Sequence, residues 1–255
     1  MNHTPCSVTR QIPVESPLPA AGPFPNVRDP MVRLVLFDID GTLILSGGAG
    51  ERAFARVCES EFGVPDGTAR LNFAGRTDTS IIREFFLQNG IDPRPENFQR
   101  FLDHYVFHLE HFLDKLAGTV LPGVHEMIRG LNLLPNPPLV GLLTGNIQLG
   151  ARIKLEHYRL WSHFRMGAFA DDHEDRNQIA VIARERGNRL LGQELAGDQI
   201  VVIGDTPRDV ECARAIDARS LAVATGKFSS AELAKDSPTW TVETLAHISA
   251  CEICA

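Results

Sequence analysis

The stretch Leu34-Val35-Leu36-Phe37-Asp38-Ile39-Asp40-Gly41-Thr42-Leu43 decides how the rest of the chain is read. Four apolar residues in a row read as a short buried strand, and that strand ends in two carboxylates two residues apart. Like charges this close repel, and burial raises the cost, so something must offset them. A divalent cation does so best, because hard oxygen ligands suit magnesium and its charge inverts the local electrostatics. Carboxylates in different surroundings can hold different protonation states, so that one attacks while the other passes protons. A plain turn capped by Asp would need only one of these residues, not Asp38, Asp40, Gly41 and Thr42 together.

Outward from this point, short apolar runs alternate with amphipathic segments. Strands are expected at 33–37, 139–143, 167–170, 200–203 and 219–223, with a sixth at 239–242. Helical patterns lie between the later ones, at about 147–160, 178–190, 207–216 and 229–235. Near-continuous apolar strands alternating with helices argue an α/β fold, a Rossmann-like parallel sheet with helices on both faces. Ligands of such sheets sit beyond the carboxyl ends of the strands. Asp38, Thr144 and Asp205 each fall just past an expected strand end, so three polar sites converge on one edge.

The interval 46–118 breaks the alternation with three helical patterns and no strand. The first, 51–62, puts Ala53, Phe54, Val57 and Phe62 on one side. The second, 78–89, has Asp78 as an expected N-cap, Ile81, Ile82, Phe85 and Phe86 inward, and Gly90 as a stop. The third, 95–117, opens on Pro95 and carries Phe98, Phe101, Tyr105, Leu109 and Phe112 on one arc. Together they form an α-helical cap inserted directly after the carboxylate loop, placed to close over it and exclude water. The expected organisation is a core of 31–45 and 119–250, a cap of 46–118, and a disordered leader or mis-assigned start over 1–30. The leader is proline-rich, and Pro13, Pro17 and Pro19 interrupt any secretory apolar core.

Further candidates follow from residue chemistry. Thr144, with Gly145 and Asn146 at a helix start, forms a natural phosphate cradle or a plain N-cap. Asp205 and Asp209, in Gly204-Asp205-Thr206-Pro207-Arg208-Asp209, can reach one cation, while Pro207 suits a first helical position. A positive side chain must balance nucleophile and incoming anion; Arg176 is the best candidate, with Lys154 and Lys227 as alternatives. Arg76, in Gly75-Arg76-Thr77-Asp78, either reaches the cleft as a substrate contact or braces a turn. His104, His108 and His111 share one side of the long cap helix and read as a solvated face rather than a zinc site. Cys251 and Cys254 form a lone C-x-x-C, a weak metal or redox signal.

Composition excludes several classes. A formal net charge of -7 leaves no electrostatic footprint for nucleic acid or anionic membrane. No apolar run approaches the roughly 20 residues that span a bilayer. Five scattered cysteines do not make a disulfide framework, so a reducing cytoplasm is the expected compartment. Neither a G-x-x-x-x-G-K-[ST] nor a G-x-G-x-x-G motif occurs, so nucleotide binding has no support.

In this order, the four sites resemble the haloacid dehalogenase-like hydrolase superfamily, particularly phosphoglycolate-phosphatase-like members with a helical cap. Asp38-x-Asp40-Gly41-Thr42 is similar to the first motif, Thr144 to the second, and Asp205 with Asp209 to the fourth. The third is usually Lys, and the matching place here carries Arg176, which is bulkier and binds oxyanions bidentately. The resemblance implies a magnesium-dependent phosphatase acting on a small-molecule phosphate ester, phosphoglycolate-like or a sugar phosphate. Asp38 would attack phosphorus and Asp40 would serve as general acid and base. Asp38, the Asp40 carbonyl, Asp205 and Asp209 would hold Mg2+, while Thr144, Gly145, Asn146 and Arg176 hold the phosphoryl oxygens. A phosphosugar mutase would keep all these residues. A carbon–halogen hydrolase would leave Asp40 and the Asp205/Asp209 pair without a task, and a non-catalytic binder would leave the full set unexplained. The sequence carries no signal for oligomeric state.

Overall fold

The computed structural model describes residues 31–255 together with Met1, so the expected leader lies, apart from Met1, outside the described residues. The apolar run forms β1 (Leu34–Phe37), fully buried as a strand with both faces covered must be. It is followed by β2 (Ile44–Leu45), then α1 (Ala49–Phe62), α2 (Asp78–Gln88) and α3 (Pro95–Lys115). The chain returns through β3 (Thr119–Val120) and α4 (Val124–Leu133) to β4 (Leu139–Leu143). Next come α5 (Gln148–His157), β5 (Met166–Ala168), α6 (Arg176–Leu191), β6 (Ile200–Gly204) and α7 (Pro207–Ala215). β7 (Arg219–Val223), α8 (Ser230–Leu233), β8 (Trp240–Val242) and α9 (Ala250–Cys254) complete it.

Six strands make one parallel sheet in the order β5-β4-β1-β6-β7-β8, with β1 central between β4 and β6. Chain direction reverses its outward growth at β1, so the first carboxylate loop lies at the switch point of the sheet. Alternation along β1 divides the core. Val35 and Phe37 face a cluster with Met127 and Leu131 of α4 and Leu155 of α5. Leu34 and Leu36 face Ile179 and Ala183 of α6 and Cys212 of α7. Among the described residues, no helix is long and apolar enough to cross a membrane.

The helical cap has its own core. Phe101 of α3 lies within 4.8 to 6.0 Å, centroid to centroid, of Phe54, Phe62, Phe85 and Phe86. β2 and β3 pair antiparallel at the two chain crossings, so both passages run through one short ribbon.

Several local expectations differ from what is observed. The N-cap of α2 is Thr77, whose hydroxyl accepts from the Ser80 N–H, and Asp78 is the first helical residue. Helix α4, the β2–β3 ribbon and α9 were not anticipated, because each is short and is held by long-range packing. The 229–235 pattern splits into α8 and a 3-10 turn at Ala234–Asp236. His104 packs against the Glu61 carboxylate at 3.3 Å, a helix-surface contact. Phe101→Ala should lower unfolding free energy by about 3–5 kcal/mol, read as a fall in urea midpoint, because four rings lose one neighbour.

Candidate active site

Strand geometry brings the carboxylates together. Asp38 leaves β1 still in register, its N–H donating to the Ile203 carbonyl of β6 at 2.9 Å, so Asp38 and Asp205 end adjacent strands. Gly41 follows with φ +85°, a conformation glycine adopts without Cβ strain. A Cβ at that position would sit 2.3 Å from Asp205 Oδ2, so only glycine lets the Asp205 carboxylate approach this turn. Thr42 Oγ1 donates to Asp205 Oδ1 at 3.1 Å. Asp209 lies one turn into α7, where its Oδ2 accepts from the Thr206 N–H at 2.9 Å and the Thr206 hydroxyl at 2.7 Å. This capping box fixes the helix start with Pro207 at its first position.

Asp38, Asp205 and Asp209 are all buried and each offers an oxygen within 4.8 Å of the others. Arg176 is their counter-ion. As the first residue of α6 it bonds Asp38 Oδ2 at 3.0 Å and makes a second pair with Asp209. Burial disfavours its charge, but Asp209 and then Asp38 outweigh that and hold the guanidinium protonated above its ordinary pKa. One cation does not balance three carboxylates. Burial, then Asp209 and Asp38, push the Asp205 pKa well above the ordinary range. Burial also raises Asp209 to about 6 against the pull of Arg176. Three hard oxygen donors with surplus negative charge suit a divalent cation.

Asp40 stands apart from this cluster. Its Oδ2 accepts from Lys154 Nζ at 2.6 Å and from Asn146 Nδ2 at 2.8 Å, and Lys154 also donates to Asn146 Oδ1 at 2.6 Å. Lys154 is buried, whereas the Asp40 side chain is 41% exposed. The sequence suggested Lys154 only as an alternative to Arg176. The fold gives each cation its own carboxylates: Arg176 takes Asp38 and Asp209, Lys154 takes Asp40. Its signal in the sequence was a lysine next to Leu155, on the arc of α5 that also buries Gly150 and Ala151.

Thr144 is fully buried, and its hydroxyl accepts from the Asn146 N–H at 3.3 Å and Asn146 Nδ2 at 3.0 Å. Gly145 and Asn146, rather than Thr144, reach the cavity wall. The cap docks on this same loop. The Asp78 N–H donates to the Gly145 carbonyl at 2.7 Å, and Asp78 Oδ2 accepts from the Ile147 N–H at 2.8 Å. Thr77 Oγ1 donates to the Glu174 carbonyl at 2.8 Å, and Arg83 forks onto the Glu174 carboxylate. A Cβ on Gly145 would meet the Arg76 carbonyl at 2.1 Å, so the close approach depends on glycine. Arg76 lines the cavity, yet its guanidinium is taken up by Glu84 and the Ser80 carbonyl. Cap and core thus enclose a cavity of about 520 Å³ above Asp38 and Asp40.

Comparison with known proteins agrees with this architecture. Residues 35–223 match the model of the family described as haloacid dehalogenase-like hydrolase. No curated protein sequence matches the chain. Among solved structures, a hydrolase from Pseudomonas syringae is similar at 20% identity, with TM-score 0.64 over 84% of this chain and 94% of that one. CbbY from Rhodobacter sphaeroides, solved in complex with phosphate, is 15% identical, with TM-score 0.65 over 85% and 96%. A predicted phosphoglycolate phosphatase from Haemophilus somnus is 16% identical, with TM-score 0.62 over 84% and 95%. At these identities the structures speak for the fold.

Removing Arg176 leaves buried carboxylates without their cation. Arg176→Met should lower unfolding free energy by about 3–5 kcal/mol near pH 7.5 without added metal. Folded-state pKa values raised by burial mean that protonation favours the folded form. The deficit should therefore shrink as pH falls through about 6 toward the unfolded value, seen in urea titrations at both pH values.

Proposed function

Since the chain belongs to the haloacid dehalogenase-like hydrolase family, we propose that it is a magnesium-dependent phosphatase of a small-metabolite phosphate monoester, working through an aspartyl-phosphate. The observation that carries this reading is the division of four carboxylates into two electrostatic environments beneath one cavity. Asp38, Asp205 and Asp209 would hold Mg2+, together with the backbone carbonyl of Asp40. When bound, the ion would supply charge neutralisation for a phosphoryl group facing the nucleophile.

The residues of the chain divide the remaining work. An Asp38 oxygen attacks phosphorus while the bond from phosphorus to the ester oxygen breaks. Asp40 gives its proton to that departing oxygen. In the second half, Asp40 takes a proton from water as the water oxygen attacks phosphorus, freeing phosphate and restoring the Asp38 carboxylate. Both of its contacts fall on Oδ2, which leaves Oδ1 for the proton transfer, and Lys154 and Asn146 fix its direction. Arg176 holds the Asp38 carboxylate in position through its ion pair. The Gly145 N–H on this wall would offer a backbone donor to the phosphoryl oxygens, while the Asn146 amide is already committed to Asp40 and Thr144. The cap helices limit water in the cavity during the first half. CbbY, of similar fold, was solved in complex with phosphate.

Phosphate release from a panel of small esters, with magnesium and with EDTA, tests the reading. Turnover should require magnesium and vanish in Asp38→Asn. Chloride release from a 2-haloacid, or phosphate release by Asp38→Asn, would overturn it. Lys154→Met should lower kcat by roughly 10²-fold, the scale of general acid–base catalysis, with KM changing much less. Magnesium should raise the melting temperature more at pH 7.5 than at pH 5.5, because protons compete for carboxylates whose pKa values are raised.

A further inference from the structure

The part of the cavity away from the carboxylates is built unlike a site for an acid or a sugar. Four side-chain cations line the cavity, and each already faces a carboxylate. Arg176 holds Asp38 and Asp209, Lys154 holds Asp40, Arg76 holds Glu84, and Lys227 at the rim holds Glu51. The Lys227 pair is solvent-exposed and worth little, but Glu51 accompanies it, so an incoming anion meets both signs at once. Asp78 adds a further carboxylate to the wall. A second negative group on the substrate therefore finds no unpaired cation among the side chains that line the cavity.

The wall contributed by the cap is an aromatic row. Phe73 packs edge-on against Phe54 at 5.3 Å, and Phe54 against Tyr105 at 5.1 Å, while Ile81 of the cap and Ile44 of β2 also line the cavity. Phe54 and Tyr105 also belong to the cap core, whereas Phe73 is only partly buried and ends the row at the cavity. Of the hydroxyls on the wall, Thr206 and Thr225 already donate, to Asp209 and to the Gly41 carbonyl, which leaves Ser46 and Tyr105. The Tyr105 hydroxyl has no hydrogen-bond partner among the described residues, although Tyr105 is 1% exposed and lines the cavity. Burial, with Asp78 and Asp40 nearby, keeps it a neutral O–H. A polyol would lose water from several hydroxyls here and regain few partners. An aromatic or aliphatic group would gain contact chiefly with Phe73, the partly exposed end of the row that Phe54 and Tyr105 back.

Resting on the phosphatase reading, we infer that the substrate is the phosphate monoester of an uncharged, mainly apolar alcohol, aryl-alkyl or branched alkyl, with at most one or two hydroxyls. This departs from the phosphoglycolate-like or sugar phosphate class that the family resemblance implies. The aromatic row holds the leaving group, and Tyr105 gives or takes a single hydrogen bond.

The test ranks kcat/KM for benzyl phosphate, phosphoglycolate and glucose 6-phosphate with magnesium. All three release alkoxides, so the ranking reports recognition rather than an activated leaving group. Benzyl phosphate should lead by about tenfold or more. Phe73→Ser, at a partly exposed loop position, should narrow the ratio of benzyl phosphate to phosphoglycolate by about tenfold. Turnover that favours phosphoglycolate or the sugar phosphate would overturn the inference and leave the phosphatase reading standing. An unchanged ratio in a folded Phe73→Ser protein would also overturn it. Absence of phosphate release from every ester, in folded wild-type protein with magnesium, would overturn both.

Discussion

The crowding of buried carboxylates at the ends of two neighbouring strands is the constraint to which the rest of the structure answers. Asp38 and Asp205 are brought together because β1 and β6 pair in parallel register. Asp209 joins them from the first turn of α7. Isolated charges in so buried a place are costly, and the fold offsets the cost with a guanidinium from α6, a hydroxyl from Thr42 and the capping box of Thr206. The offset is incomplete, which is why the Asp205 and Asp209 pKa values stand above the ordinary range. That residual charge suits the cluster to a divalent cation.

A second consequence is the separation of Asp40 from this cluster. Two residues along the chain from Asp38, its carboxylate turns to Lys154 and Asn146 and stays open to the cavity. Adjacent acids thereby gain unlike partners, one a guanidinium shared with other carboxylates, the other a lysine and an amide. Different surroundings are what allow two chemically identical side chains to take different parts in one reaction.

The cap is anchored to this chemistry rather than merely stacked above it. The loop that supplies Gly145 and Asn146 to the wall also receives the backbone and carboxylate of Asp78. Any movement of the cap therefore acts directly on the loop that lines the cavity floor. The same docking places Phe54, Phe73 and Tyr105 of the cap on the cavity wall.

How much of this was legible without a fold depends on the range of the interaction. The strand β1, the Asp-x-Asp-Gly-Thr turn behind it, the strand–helix alternation and the three cap helices are written locally, in period, apolar runs and turn residues. Asp38, Asp40, Asp205, Asp209 and Arg176 could be nominated because acids after buried strands are costly and demand a reason. The partnership of Lys154 with Asp40 could not, since 114 residues separate them and a lysine on a helix is ordinarily a solvated residue. Thr144 and Arg76 were legible as polar residues near the edge, but their partners, Asn146 and Glu84, follow from packing. Sequence alone thus determined the strand, its acidic turn and the class of fold, because those follow from nearest-neighbour geometry and burial. Which cation meets which carboxylate, and which rings face the cavity, was decided only when sheet register and cap docking brought distant segments within hydrogen-bonding distance.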